Sequence, residues 1–267
     1  MQKYTVAIAL AMVLTGGLLF AGGSDEQAAE ASALEAVQER GTLTVGMMGT
    51  YPPYNFLNTD EVMDGFDADI AREVARRIGV EAEFVATEWS GMIEGLLRGR
   101  FDTVISQMTI TPERQEQMDF TQPYITNQVR IIVSSANNDI TALEDFAGRR
   151  IGVGLGTNDE AYLRNEARPR VGDFEIVTYN DVITSLQDLN IGRTDATINN
   201  LYAIAPLVAE RGFEIKAVGE PVKSDNAGIA FRKGNEDLRD AVDQALTDMK
   251  ADGTYDQIFA RWFAAVQ

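Results

Sequence analysis

From Gly41 onward, short apolar runs with strand character take turns with stretches whose apolar positions recur at helical spacing. Residues 42–48 (TLTVGMM), 83–86, 101–105 (FDTVI), 129–133 (VRIIV), 150–153, 175–178, 195–198 and 228–231 (GIAF) predict strands. Between them, residues 67–78 place Ile70, Val74, Ala75 and Ile78 on one helical face, with Gly79 ending the helix. Met92, Ile93, Leu96 and Leu97 form another such face, and residues 158–167 and 182–189 predict two more helices. Thr141 and Glu144 have capping-box spacing over a short helix that Gly148 ends. Residues 236–250 are amphipathic through Leu238, Val242, Leu246 and Met249, and a last helix holds Tyr255, Ile258, Phe259 and Trp262. Strands separated by helices imply parallel βαβ units. The pattern predicts an α/β protein in two blocks, the second beginning near Thr126, with a cleft between two lobes. Phe56, Phe66, Phe101 and Phe120 are assigned to the core.

Ahead of this pattern, residues 1–23 carry one cation, Lys3, then an apolar run from Tyr4 to Ala21, then small residues. This is the pattern of a secretory signal cleaved before Ser24. The alternative is an uncleaved anchor, against which Thr15-Gly16-Gly17 interrupts the run. Leu19-Phe20-Ala21-Gly22 resembles the approach to a lipoprotein cleavage site, but Gly23 stands where the lipidated Cys would be, so the chain as written is not lipidated there. Residues 24–37 read as a polar, Ala-rich tether or a frayed first helix. These features place the protein in the periplasm or at the cell surface.

Composition narrows the chemistry. The chain has 267 residues, 45% hydrophobic, enough for one large or two medium domains. Asp and Glu outnumber Lys and Arg 41 to 23, giving a formal net charge of −18. With no basic run, nucleic acid is a poor partner. There is no Cys and no His, which removes disulfides, thiol nucleophiles, zinc clusters of the common kinds and any imidazole-based triad. No cofactor or metal ion is expected.

The densest chemistry lies in residues 106–114 (SQMTITPER). A strand ends, Thr111 suits an N-cap, Pro112 suits the first helical position, and Arg114 falls on the first turn. Thr109, nearby backbone N–H groups and the Arg114 guanidinium can converge on a carboxylate; the plainer reading is a capped helix whose Arg114 pairs with a surface acid. Residues 152–158 (GVGLGTN) place a glycine-rich turn between a strand and a helix. Thr157 stands where a dinucleotide fingerprint needs glycine, and no P-loop Lys-Ser/Thr pair follows, but such a turn can still hold one anion. Tyr51, stiffened by Pro52 and Pro53, and Trp89 sit at two other strand ends and can flank a side chain.

TVGMMGTYPPYNF, GFDADIAREVARRIGV, TEWSGMI, MTITPERQEQMDFTQPY, IGVGLGTNDEAYLR, GRTDA and AFRKGNEDLRDAVDQAL, in this order and spacing, resemble the extracellular solute-binding proteins that deliver polar amino acids to ABC importers. The resemblance covers residues 41–263 and is greatest to cystine-binding proteins. It implies a two-lobed periplasmic-binding-protein-like (type II) fold, each lobe a mostly parallel sheet with helices on both faces, joined by two crossover hinge strands. Lobe one would be residues 38–125 plus 226–267, lobe two 126–225, and the hinge 124–128 and 224–228. It also implies a non-enzymatic, monomeric receptor that captures cystine or another polar amino acid by hinge closure and hands it to a membrane permease and its ATPase. Arg114 and Thr109 would take the ligand carboxylate with Thr157 and Asn158; Tyr51 and Trp89 would flank the side chain; Ser106, Gln107 and Met108 would line the floor. The family usually places an Asp in the second lobe for the ammonium group, and often an acid after the first strand. Here those positions are Asn200 and Met48, so the contact they offer the amine is uncharged: either the amine is bound differently, with Asp159 and Asp225 the candidate substitutes, or the ligand's amino group is altered. The alternatives are a dehydratase-like enzyme on the same fold and a ligand-sensing input protein for a separate partner.

Overall fold

The computed structural model describes residues 32–264, so the predicted signal sequence and residues 24–31 of the predicted tether lie outside the described residues. Helix α1 (Ala33–Arg40) is closed by a capping box in which Ser32 Oγ accepts from Glu35 N and Glu35 Oε2 accepts from Ser32 N. Val37 is buried and Leu34 N donates to Asp237 Oδ2 at 2.7 Å. Residues 33–37, expected as the end of a tether or a frayed helix, are therefore held against the body.

β1 (Thr42–Met47) follows, then a small antiparallel sheet of β2 (Thr50–Tyr51), β3 (Asn55–Leu57) and β4 (Met63–Asp64). α2 (Phe66–Arg77), β5 (Glu81–Ala86), α3 (Trp89–Leu97), β6 (Thr103–Val104), α4 (Pro112–Gln115) and β7 (Met118–Phe120) continue the first lobe. β8 (Ile125–Ser134) enters the second, followed by a 3-10 turn over Leu143–Phe146 and β9 (Arg150–Gly154). α5 (Asn158–Tyr162) runs through a π turn into α6 (Arg168–Val171), and β10 (Glu175–Tyr179), α7 (Val182–Asn190), β11 (Ala196–Asn200) and α8 (Leu201–Arg211) come next. β12 (Ile215–Ala227) leads back to the first lobe, which β13 (Ala230–Arg232), α9 (Glu236–Ala251) and α10 (Thr254–Phe263) complete.

The two main sheets have five strands each, in the orders β5-β1-β6-β13-β7 and β10-β9-β11-β8-β12. β1 is parallel to β5 and β6, and β9 is parallel to β10 and β11, while β13 and β8 are antiparallel to their neighbours. This mixed α/β architecture is what the alternating pattern predicts. The chain crosses between lobes twice, through the start of β8 and the end of β12, which pair from Ile125↔Ala227 to Gln128↔Ser224.

Each lobe has its own apolar core. The first is built on Leu43, Val45, Ile70, Val74, Leu238 and Val242, the second on Val129, Ile131, Ile151, Val153 and Ile198. Phe66 and Phe101 are buried as predicted; Phe56 and Phe120 are only half-buried, Phe56 lying edge-on to Trp262 at 5.9 Å. The predicted 101–105 strand shrinks to Thr103–Val104. The Thr141 capping box forms with a different acid. Asp145 Oδ2, not Glu144, accepts from Thr141 N at 2.8 Å and Ala142 N at 3.0 Å. The N-cap is Ala142 rather than Thr141, so the third residue of the turn is Asp145 and not Glu144.

Candidate ligand-binding cleft

The parallel strands of both sheets end at the same crevice. Met48 follows β1, Trp89 follows β5 and Ser106 follows β6; across from them are Leu155 after β9, Asn180 after β10 and Asn200 at the end of β11. Open α/β sheets bind ligands at such carboxyl ends, where loops and helix N-termini converge. The cleft, with the open solvent at its mouth included, holds about 730 Å³ of space not occupied by atoms.

Arg114 is not itself among the lining residues; it lies just behind Thr109 and Trp89, which are, and local sequence holds it there. Thr111 Oγ1 accepts from Arg114 N at 3.3 Å and Pro112 starts α4, as the residue order predicts. The side chain is 8% exposed. Nη1 donates to the Thr109 carbonyl at 2.8 Å, and the guanidinium carbon lies 5.3 Å from the Trp89 ring centre. Among the described residues, Nε and Nη2 have no hydrogen-bond partner. Burial pushes the Arg114 pKa down, opposed by the charges of Asp159 and Asp225. Among the described residues no acid forms an ion pair with it, unlike the surface pairing of the plainer reading.

The other predicted residues divide. Tyr51, Trp89, Ser106, Gln107, Thr109, Thr157, Asn158 and Asn200 line the cleft. Met108 does not. Its side chain is fully buried among Met92, Leu96, Phe101 and Met118, and its carbonyl accepts from Gly228 N at 3.0 Å. In extended backbone, neighbouring side chains take opposite faces, so with Thr109 on the cleft Met108 is turned into the core.

Gln107 reaches the wall but its amide is occupied. Its backbone is left-handed, at φ 55°. Nε2 donates to Asp67 Oδ1 at 2.6 Å and Oε1 accepts from Asn127 Nδ2 at 2.8 Å. Asp67 also accepts from Asn55 Nδ2 at 2.7 Å and Tyr124 OH at 2.9 Å, and Asn127 accepts from Tyr54 OH at 2.8 Å. A buried polar network thus underlies the floor and reaches β8 at the hinge. Thr157 is occupied too: its hydroxyl caps α5 by accepting from Glu160 N and donates to Gly154 O.

Several wall residues reach across. Trp89 Nε1 donates to Gly156 O at 3.0 Å. Tyr51 OH donates to Asn199 Oδ1 at 2.8 Å and accepts from Asn200 Nδ2 at 2.9 Å. Burial, then the nearby Asp159 charge, pushes the Tyr51 pKa up, so the hydroxyl stays protonated. Asn200, singled out from the sequence as a ligand residue, lines the cleft, and its amide nitrogen meets the opposite wall.

Sequence reasoning named Asp159 and Asp225 as candidate substitutes for the missing acid but did not place them, nor Lys223 between them, on the second-lobe side. Lys223 Nζ lies 2.8 Å from Asp159 Oδ1 and 2.8 Å from Asp225 Oδ2, and Asn158 Nδ2 donates to Asp225 Oδ2 at 2.8 Å. Burial raises the Asp159 pKa against the pull of Lys223. Burial also works against the Lys223 charge, but its two carboxylates more than offset this and hold its pKa up. Asp181, which also lines the cleft, caps α7 through Thr184 N and Oγ1. No local motif signals the Lys223 cluster, because Asn158 and Asp159 approach β12 only through the fold.

Residues 43–265 match the bacterial extracellular solute-binding proteins, family 3. The L-cystine-binding protein TcyJ of Escherichia coli (strain K12) is 40% identical over 248 residues, covering 92% of each chain. Among solved structures, an ancestral arginine-binding protein bound to arginine has a TM-score of 0.79 and 37% identity, over 84% of this chain and 99% of that one. The ancestral amino acid-binding protein AncCDT-1, described as a precursor of cyclohexadienyl dehydratase, has a TM-score of 0.80 and 36% identity, over 87% of this chain and 100% of that one.

Proposed function

The chain belongs to the bacterial extracellular solute-binding proteins, family 3, and from that premise we propose that it captures a small polar amino acid, L-cystine or one of similar size, for an ABC importer. The observation that carries the reading is Arg114: a buried cation with Nε and Nη2 unpartnered among the described residues, beside an interlobe cleft. A buried charge is unfavourable until it is paired, and two parallel N–H donors match a carboxylate. Thr109 and the N-terminal turn of α5 at Thr157 and Asn158 assist from the two sides. Tyr51 and Trp89 flank the ligand side chain, with Ser106 and Gln107 beneath. Asn200 acts through Tyr51 as part of the wall.

Lobe one is residues 38–125 plus 226–267, lobe two 126–225, and closure turns on 124–128 and 224–228. A ligand touching both lobes favours the closed form because it binds that form better. Micromolar capture corresponds to roughly −8 kcal/mol.

The protein works as a monomer outside the cytoplasm, delivers to a permease and its ATPase, and performs no chemistry on its cargo. A chain without His or Cys has neither an imidazole base nor a thiol nucleophile to offer. Turnover of prephenate or arogenate by the purified chain would overturn the non-enzymatic reading. Titration calorimetry with L-cystine tests the anchor: Arg114→Ala should weaken binding by at least ~30-fold, the low end of removing one partner from a buried charge pair. Equal affinity of the wild-type chain and the variant refutes the anchor.

A further inference from the structure

Resting on this reading, the cleft also indicates which group on the second-lobe side meets the cargo. An amino acid brings a cation as well as an anion, and an ammonium taken out of water needs acceptors, preferably charged ones. Among the described residues, three carboxylates line the cleft: Asp159, Asp181 and Asp225. Asp181 spends one oxygen on Thr184 N and the other on Thr184 Oγ1, both at 2.8 Å. Asn200 spends its amide nitrogen on Tyr51 OH. Asp159 and Asp225 differ from both. Lys223 sits between them, on Oδ1 of Asp159 and Oδ2 of Asp225, and Asn158 shares the latter oxygen. Among the described residues, Asp159 Oδ2 and Asp225 Oδ1 have no polar partner.

We propose that the ligand's ammonium group is received by Asp159 and Asp225, with Lys223 as their shared counter-ion, so that the cargo is an amino acid with a free amine. Two carboxylates on one lysine leave one negative charge. Arg114 supplies one positive charge from the other lobe. These four groups sum to zero, and a zwitterion keeps the sum at zero while pairing both excesses. The cargo then bridges the lobes, carboxylate on Arg114 and amine on the acid pair, which ties recognition of the amine to closure. Lys223 fixes both carboxylates in place, and Asn158 orients Asp225.

Calorimetric competition between free-amine and N-acetylated probes tests this on the full chain. The probes are L-cystine and N,N′-diacetyl-L-cystine, with L-arginine and L-glutamine and their Nα-acetyl forms alongside. Wild type should prefer the free amine by at least ~10-fold. Asp159→Asn and Asp225→Asn, made singly so that one carries the test if the other folds poorly, should each reduce that preference at least ~3-fold. Asparagine keeps the shape and an acceptor oxygen while removing the charge. If wild type binds the free amino acids but either folded variant keeps the full preference, or wild type accepts the acetylated forms equally, the amine assignment is overturned and the transport reading stands. If wild type binds none of the free amino acids, both fall.

Discussion

Asp67 is fully buried beneath the cleft floor with three donors aimed at it, from Asn55, Gln107 and Tyr124. Burial nevertheless pushes its pKa up to about 7, against ~3.9 in an unfolded chain. Tyr54 and Tyr124, also in the network, are pushed well above the ordinary tyrosine value by burial and stay neutral. Between the two Asp67 values the folded protein holds the proton and the unfolded chain does not. The folded state is therefore favoured at low pH, and stability falls as pH rises from about 4 to about 7, by no more than ~4 kcal/mol from this group. Asp67→Asn should flatten that part of the pH dependence, whatever constant loss the missing acceptor brings. Urea denaturation at pH 5 and pH 8 measures it: an unchanged wild-type-like difference in the variant removes Asp67 as the source. Because Gln107 and Asn127 share this network, the same carboxylate ties the floor to the hinge strand.

At the scale of elements, α3 must lie close to β1 for Trp89, its first residue, to reach the cleft. Phe101 sets that distance. A Cβ at Gly46 would come within 2.7 Å of its ring and one at Gly95 within 2.8 Å, and the ring is 1% exposed, with no room to yield. Gly46→Ala and Gly95→Ala should each destabilise the protein by about 1–3 kcal/mol through overpacking, seen as a lower urea midpoint; full stability in both would mean the packing is looser than described. Neither glycine stands out in the sequence, because what forbids a methyl group there is a ring from another element. The same division runs through the site. Thr111, Pro112 and Arg114 were legible because N-capping is a contact over a few residues. The two-lobed α/β outline was legible because strand and helix periods differ. Met108 was misassigned to the floor because the left-handed turn at Gln107 is not encoded by a glycine. Asp159 and Asp225 could be named as candidates from the sequence, but their meeting on Lys223 could not, because β12 and the start of α5 come together only through the fold of the second lobe, and charge alone does not name a partner.

For the whole molecule, the protein's own contacts already bias closure. Trp89 to Gly156 and Tyr51 to Asn199 and Asn200 span the cleft, but these residues also line it, so changing them would confound closure with ligand contact. Tyr202, at the start of α8, separates the two effects. It lies outside the cleft lining and packs on the first-lobe helix α10, 4.7 Å from the Phe263 ring and 5.8 Å from Phe259. Phe263 in turn touches Tyr54, and Tyr54 touches Tyr51, so an aromatic ladder runs from the second lobe back to the cleft wall. Aromatic contacts of this kind contribute about 0.5–1.5 kcal/mol beyond area burial. If they exist only when the lobes meet, their loss lowers the closed population, and apparent affinity falls by the same factor while the intrinsic site is unchanged. Tyr202→Ala should therefore enlarge the radius of gyration of the ligand-free protein in X-ray scattering and weaken L-cystine binding by roughly 2- to 10-fold. It should leave the preference for free over acetylated amines as it was, since no group at the cargo has changed. Larger scattering dimensions with unaltered affinity would show that this contact shapes the open form without governing capture; a collapsed amine preference would show that α8 positions the acid pair, and closure would then have to be sought in the hinge strands alone.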